Sequence, residues 1–587
     1  MTGKESKMVK RIPYGVSDFV GIRQRNGYYV DKTAYVEKLE EANDFFFFIR
    51  PRRFGKSLLL SMLSCYYDVA MKERFDELFG DLYIGQHPTP LRNAYLVLKL
   101  NFSVNGGRLG YYKESLDMHC ENVFQAFCET YAEFLPEGIS SELKERKGAI
   151  NQLDFICRKC KSVNRKIYLF IDEYDHFTND ILSSAERLND YESETHGEGY
   201  LRQFFNSVKA NTETAIEKCF ITGVSPVTLD DLTSGFNIAT NYTTDLFFNG
   251  MVGFTEAEVR EMLNYYASAT GEFSHSVDEL IQVMAPFYDH YCFAEDAFGK
   301  ETIYNSNMVL YFVNNYLRFN GKIPKDMLEA NIRTDYDKLR MLIRKDQEYS
   351  PDTSVIQTIV GQGYITGDVK DSFSARTLGN TENLISLLFY FGMLTFGGTI
   401  DGRTKLVIPN YVVREQLYKY LLDICDEMHL TQEERKRLDL ETALAYKGEW
   451  IPYFDYLGEC LKNYTSTRDA QKGEALVHGF SLAMISLNKY FYPHSEPDCN
   501  GGYADIILSP RTEIFPELKY CYVIELKYLK LSEPESNRSV KVKEAEEQLN
   551  RYAESTHTKE LARGKQIRKL LALFHGMNLV VREELVE

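Results

Sequence analysis

The tripeptide Gly55-Lys56-Ser57 is where the sequence first offers chemistry. It follows the apolar run Phe45-Phe-Phe-Phe-Ile49 and the loop Arg50-Pro-Arg-Arg-Phe54, and leads into a segment of helical spacing beginning Leu58-Leu-Leu60. A strand, a short loop and a helix N-terminus in that order make a phosphate cradle, because their backbone N–H groups converge on one anion. In such a cradle Lys56 pairs with the β- and γ-phosphates of a nucleotide, and the Ser57 hydroxyl holds Mg²⁺. The position at which such loops open with glycine carries Arg50, and Arg52 and Arg53 follow. The loop is therefore stiff and basic. Its arginines, Arg53 among them, either add charge-assisted phosphate contacts or turn away onto acidic neighbours.

A second apolar run, Lys166-Ile-Tyr-Leu-Phe-Ile171, ends in Asp172-Glu173-Tyr174-Asp175. Acidic residues at the carboxyl end of a buried strand stand where open α/β sheets bind their ligands. Asp172 is expected to share Mg²⁺ with Ser57, and Glu173 to orient or deprotonate the attacking water. A third run, Lys218-Cys-Phe-Ile-Thr222-Gly-Val-Ser225, ends in a hydroxyl beside a glycine. Thr222 is either a sensor of the γ-phosphate or an ordinary strand exit.

The C-terminal part carries a different chemistry. Gly501-Gly-Tyr-Ala-Asp505-Ile-Ile-Leu508 is followed, after a turn, by Tyr522-Val-Ile-Glu525-Leu-Lys527. Residues i and i+2 of a strand share a face, so Glu525 and Lys527 point the same way. A charged face is costly to bury unless its charges are paired or bind metal. Asp505 and Glu525 together suit Mg²⁺ or Mn²⁺ acting on a phosphodiester, with Lys527 positioning water or stabilising charge. Glu474, on a helix expected from Gly473 to about Tyr490, is a candidate further ligand, with His478 one turn later. Gln548 and Tyr552 share a helix face at i, i+4, where they suit contacts to a substrate phosphate backbone. Taken singly, Glu474 also fits a solvated helix charge, and Tyr552 a half-buried packing residue.

The elements that must position these groups fall into three zones. Residues 1–250 alternate helical patterns with the strand-like runs Phe45–Ile49, Tyr95–Phe102, Ile167–Ile171 and Phe220–Thr222. Such unalternating runs suit a parallel sheet covered by helices. Residues 251–444 are mostly helical in period and read as a lid or linker, with Thr255 as an N-cap and Glu258 three positions on. Residues 445–587 hold a hairpin, Ala504–Leu508 with Cys521–Leu526, and a final helix around Ala545–Tyr552. The fold class is α/β throughout.

Composition narrows the setting. The chain has 587 residues, 44% of them hydrophobic, and a net charge of −17, so any polyanion needs a local basic groove. The Phe45–Ile49 run is far too short for a bilayer, which needs roughly 20 apolar residues. Neither this nor the N-terminus suggests a membrane. Eleven scattered cysteines fit a reducing compartment, so the expectation is a soluble cytoplasmic protein. Cys157-Arg-Lys-Cys160 lacks a second pair for a structural zinc and reads as free thiols.

With both constellations assembled, the chain resembles AAA-ATPase-like bacterial proteins that carry a C-terminal PD-(D/E)XK nuclease domain. The N-terminal resemblance rests on Ile12-Pro-Tyr-Gly-Val-Ser-Asp-Phe19, Tyr29-Val-Asp-Lys-Thr33, Arg50–Ser57, Phe170–Asp175, Ile221–Ser225 and Gly253-Phe-Thr-Glu256. The C-terminal resemblance rests on Asp505, Glu525-Leu-Lys527 and the Gln548/Tyr552 pair. In that family Arg50 is a usual residue. A family Gly-Arg-x-Asp motif is here Gly502-Tyr503-Ala504-Asp505, without its arginine. The resemblance implies a P-loop NTPase sheet, a helical lid and a restriction-endonuclease-like domain. It also implies ATP and Mg²⁺ as cofactors, DNA or RNA as partner, and a possible homo-oligomer. The expected function is ATP hydrolysis coupled to metal-dependent nucleic-acid cleavage. The alternative is a nucleotide-switched binding or scaffold protein with an inactive nuclease-like domain.

Overall fold

The computed structural model describes residues 8–104, 112–176, 199–227, 237–328, 355–417, 434–464 and 474–586, apart from positions 272, 375, 376, 378, 379, 496, 500 and 501 within them. Gly473 and Gly501 of the motifs above therefore lie outside the described residues. The chain groups into two compact units, the first chiefly Met1–Lys322 and Thr366–Asn410, the second chiefly Tyr411–Glu587. Most of residues 251–410 thus group with the first unit.

Five strands build the first unit's sheet: β1 (Phe45–Ile49), β2 (Leu96–Asn101), β3 (Ile167–Asp172), β4 (Ile216–Gly223) and the short β5 (Thr240–Asn241). They run parallel in the order β2-β3-β4-β1-β5. Helices Lys56–Tyr67, Tyr112–Thr130 and Tyr200–Thr212 pack on β2, β3 and β4. Polar alternation is absent from β1 and β3 because both faces are covered. Phe46 stacks on Phe220 and Tyr242, and Phe47 meets Tyr174 edge-on. Each buried phenylalanine stabilises by roughly 1.5–3 kcal/mol, which anchors β1 inside the sheet. With β4 between β1 and β3, the carboxyl ends of the three strands put the 50–55 loop, Thr222 and the acidic pair side by side.

Beyond residue 250 the helix Glu256–Thr270 begins with a reciprocal cap. Thr255 Oγ1 accepts from Glu258 N (3.3 Å), and the Glu258 carboxylate accepts from Thr255 N (2.8 Å). Helices Val277–Tyr288 and Ser306–Arg318 follow. The zone is not helical throughout: after the short β6 (Tyr364–Thr366), β7 (Thr395–Ile400) and β8 (Arg403–Val407) form an antiparallel hairpin. No helix among the described residues is long and apolar enough to cross a membrane.

The second unit holds a mixed sheet of β9 (Phe491–Ser495), β10 (Ile506–Pro510), β11 (Tyr520–Leu529), β12 (Gln566–His575) and β13 (Asn578–Leu585). Its order is β13-β12-β11-β10-β9, and only β11 and β12 are parallel. The expected hairpin is β10 with β11, in the register Ile506↔Ile524. A parallel pair requires a crossover, supplied by the helices Asn537–Ala553 and Thr556–Ala562. Ala545, Leu549 and Tyr552 of the first crossover helix share a core cluster with Ile507, Cys521 and Val523. By strand periodicity Glu525 and Lys527 lie on that same, helix-covered face.

Candidate functional sites: a phosphate cradle and a carboxylate pair

Gly55, at φ +97, caps the helix that starts at Lys56, and Arg53 before it is also left-handed at φ +69. The two turns wrap the loop around its own centre. Lys56 is buried there: Nζ donates to the carbonyls of Arg50 (2.8 Å) and Pro51 (3.0 Å), and burial pulls its pKa down to about 8. Ser57 Oγ donates to Asp172 Oδ2 (2.8 Å), so the hydroxyl and carboxylate paired in the sequence reading are in direct contact. These are the two oxygens that would hold a nucleotide-associated Mg²⁺.

Glu173 follows Asp172 with a left-handed φ of +50, an uncommon conformation for a non-glycine residue that tends to collect at functional sites. Burial, then Asp172 and Asp175, push its pKa upward. Asp175 is itself committed to structure, its Oδ2 accepting from Val224 N (3.0 Å) and Ser225 N (2.6 Å), while the Tyr174 hydroxyl donates to Ser225 O. These bonds staple the end of β3 to the chain leaving β4. Gly223 makes the staple possible, because a Cβ there would stand 2.3 Å from Asp175 Oδ1 and 2.6 Å from the Tyr174 ring. Gly223→Ala is expected to lower stability by about 1–3 kcal/mol through overpacking, read as a fall in Tm; an unchanged Tm would contradict the contact.

Thr222 takes the second of the two roles weighed for it, and Arg50 neither of those weighed for the loop arginines. The Thr222 hydroxyl donates to Phe48 O (2.6 Å) across the β1–β4 pair, so here its one proton serves the sheet. Arg50, 1% exposed, does not reach the cradle and meets no acid among the described residues. Its guanidinium lies between the rings of Phe48 (4.2 Å) and Phe293 (4.4 Å) and donates to the carbonyls of Ile49, Thr243 and Phe248. Burial lowers its pKa to about 9.

The cradle opens into a cleft of about 510 Å³, lined on one side by Arg52 to Leu59 and Glu173. Facing them are Pro13, Val16 and Tyr28 from the N-terminal segment and Ser306, Asn307 and Leu310 from the helix Ser306–Arg318. Asn307 N and Ser306 Oγ each donate to Arg53 O (3.3 Å), and Gly253 N donates to Phe54 O (2.8 Å). Local sequence gave no sign of the Ser306–Leu310 wall. The N-terminal wall was marked by the motifs Ile12–Phe19 and Tyr29–Thr33, whose Tyr29, Val30 and Lys32 also line the cleft.

In the second unit, Glu525 is 1% exposed. Lys527 Nζ donates to its Oε1 (2.8 Å), while its Oε2 is buried with no hydrogen-bond partner among the described residues. Burial, then Asp505, raise the Glu525 pKa to about 7. Burial opposes the Lys527 charge, but its pairing with Glu525 prevails and holds its pKa above the usual lysine value. Asp505 Oδ2 accepts from Leu526 N (2.7 Å), which fixes the second carboxylate beside the first. A buried carboxylate oxygen without a partner, with a second acid beside its residue, is what a divalent cation would satisfy.

Glu474 is exposed at the start of the helix Glu474–Ser486, close enough for its charge to act on Lys527. Among the described residues no three His, Cys, Asp or Glu side chains group tightly enough to hold a metal. The structure thus assembles a pair, Asp505 and Glu525, without Glu474 as a third ligand. On the helix Asn537–Ala553, Gln548 Nε2 and Arg551 Nη2 both donate to Tyr552 Oη (3.5 and 3.2 Å). Cys157 and Cys160 are free and buried on the helix Ala149–Ser162, and burial raises both thiol pKa values, that of Cys160 to about 12.

Fold and sites define a protein with an ATPase-type parallel sheet in one unit and a nuclease-type mixed sheet in the other. Residues 13–233 match the predicted AAA-ATPase family and residues 472–584 the PD-(D/E)XK nuclease superfamily, so the chain carries one domain of each. An uncharacterized protein encoded in the vnfD 5′ region of Azotobacter chroococcum mcd 1 is 26% identical over 259 residues, 43% of this chain and 44% of that protein. The match thus spans less than half of the relative's length. Among solved structures, Cdc6p of Pyrobaculum aerophilum aligns at 12% identity over 64% of this chain and 88% of its own, with a TM-score of 0.25. The ORC2 protein of Aeropyrum pernix, in ADPNP–ADP complexes, aligns at 11% over 66% and 92%, with a TM-score of 0.30. At scores this low the fold is read from its own strand order.

Proposed function

We propose that the chain binds and hydrolyses ATP through residues 1–250 and couples this to Mg²⁺-dependent cleavage of DNA or RNA by residues 445–587, with residues 251–444 as lid and connection. The observation that carries the reading is the buried Glu525, one oxygen on Lys527 and the other without a partner. In the cradle, Gly55 and the first turn of the helix receive the phosphates. Lys56 exchanges the Arg50 and Pro51 carbonyls for phosphate oxygens, with Arg53 at the loop's bend. Ser57 and Asp172 would hold the ion, and Glu173 orients the water and takes its proton. The apolar wall of Pro13, Val16 and Leu310 offers a surface for the base.

In the nuclease-like unit Asp505 and Glu525 would hold Mg²⁺ or Mn²⁺, which when bound polarises the phosphodiester and favours hydroxide. Lys527 stabilises negative charge, and Gln548 with Tyr552 steadies the backbone of the substrate. Labelled single- and double-stranded DNA and RNA, incubated with Mg²⁺ or Mn²⁺ with and without ATP, test the reading. Metal-dependent cleavage that responds to ATP is expected. Intact ATP hydrolysis with no cleavage of any substrate would favour the nucleotide-switched binding protein, a reading that the net charge of −17 also favours.

A further inference from the structure

Beside the carboxylate pair stands a large aromatic side chain that packs against little. Tyr503 is 63% exposed, two residues before Asp505, while Ala504 and Ile506 on either side of that acid are buried. Its backbone is held in place. Tyr503 bridges Asp498 in an isolated antiparallel pair, and Cys499 N donates to Gly502 O (2.8 Å). The ring is thus presented two residues from Asp505, at the rim of the site.

A cation stands on the same rim. A Cβ on Gly502 would lie 2.7 Å from Tyr552 Oη and 3.1 Å from Arg551 Nη2, so the crossover helix brings both groups onto the residue next to Tyr503. Arg551 is exposed, lies over the Tyr552 ring (5.0 Å), and donates to its hydroxyl. No carboxylate among the described residues lies within ion-pair distance of it. A guanidinium that is tied to no carboxylate and stands against the residue next to the exposed Tyr503 is open to an anion. One that also offers a planar π-face to Tyr503 is a nucleotide.

We infer that Tyr503 and Arg551 form a clamp for an unpaired nucleotide, Tyr503 stacking on the base and Arg551 holding its phosphate, so that the preferred substrate is single-stranded. This rests on the nuclease reading above and adds the strandedness. A duplex keeps its bases stacked on one another and cannot offer a face to the ring. Stacking on an aromatic side chain contributes about 1–3 kcal/mol per base, a factor of roughly 5–150 in affinity, and tolerates any base. The clamp therefore selects strandedness rather than sequence, for DNA and RNA alike.

The test is fluorescence anisotropy of the full chain with labelled oligo(dT) and oligo(U) of about 20 nucleotides and a duplex of the same length, with Ca²⁺ in place of Mg²⁺. Tyr503→Ala is expected to weaken single-strand binding at least fivefold and leave the duplex unchanged, with Tyr503→Phe within about twofold of the parent. Arg551→Gln should weaken binding and flatten its salt dependence by about 0.7 in log–log slope. Single-strand affinity that survives Tyr503→Ala, or an equal loss on strand and duplex, overturns the clamp and leaves the nuclease reading standing. If the parent chain binds no nucleic acid, the nuclease reading falls and the clamp with it.

Discussion

Glu173→Gln is expected to leave a chain that retains ATP and turns it over at least a hundredfold more slowly. Glutamine keeps the shape of glutamate and can adopt the same left-handed backbone, so the change removes the base without dismantling the end of β3. A positioned general base contributes about 10²–10⁴-fold, and a carboxylate whose pKa is raised by burial and by Asp172 and Asp175 is better suited to accept a proton than a solvated one. Affinity should change far less, because Lys56, Ser57 and the loop amides are untouched. Phosphate release and nucleotide retained after gel filtration measure the two quantities. Turnover within threefold of the parent would remove Glu173 from this role.

Lys527→Ala is expected to reduce cleavage by at least a hundredfold and spare ATP hydrolysis. A single charge-stabilising donor at a reacting centre contributes about 10²–10³ in rate, and Lys527 is the partner of the buried Glu525. A stability effect accompanies the catalytic one. Removing one member of a buried pair leaves the other uncompensated, at about 3–5 kcal/mol, so Tm in a chelator should fall, and added Mg²⁺ or Mn²⁺ should recover part of the loss. Glu525→Gln is the complementary change: it abolishes cleavage as well, but the charge it leaves without its partner, that of Lys527, is the less buried of the two, so its Tm should fall by less. Joint loss of cleavage and ATP hydrolysis in Lys527→Ala would contradict two separable sites.

Sequence made those features legible that local chemistry determines. The Phe45–Ile49 run, bounded by a proline-containing loop and followed by Gly-Lys-Ser, becomes β1 with the expected bounds. The Thr255–Glu258 cap forms in both directions because its two bonds span only three residues. The Glu525–Lys527 face follows from the period of a strand. Long-range features were not legible. Gln566–His575 carries three leucines with one each of glutamine, arginine, lysine and alanine, residues that favour helix, yet it becomes β12 because β11 offers it a ten-residue parallel partner. The β7–β8 hairpin hides in a glycine-bearing stretch, Thr395-Phe-Gly-Gly-Thr-Ile400, with little alternation. Ser306 and Asn307 reach the cradle from some 250 residues away. Thr222 was correctly placed at a strand end, but which carbonyl its hydroxyl meets depends on the order of the strands.

Arg50 changes how the cradle should be thought of by anyone intending to redesign it. Measured against the commoner loop, position 50 looks like a defect, and a return to glycine looks like a repair. The side chain instead serves as a keystone, joining the mouth of β1 to Thr243 and Phe248 and filling the slot between Phe48 and Phe293. Glycine there would hollow out a void the size of an arginine side chain and take a donor from each of three carbonyls, while the loop's entry, now unfastened, gained freedom the cradle does not want. The restored consensus would be the damaged protein, and sequence scores that penalise arginine at this position penalise the part that holds the loop in shape.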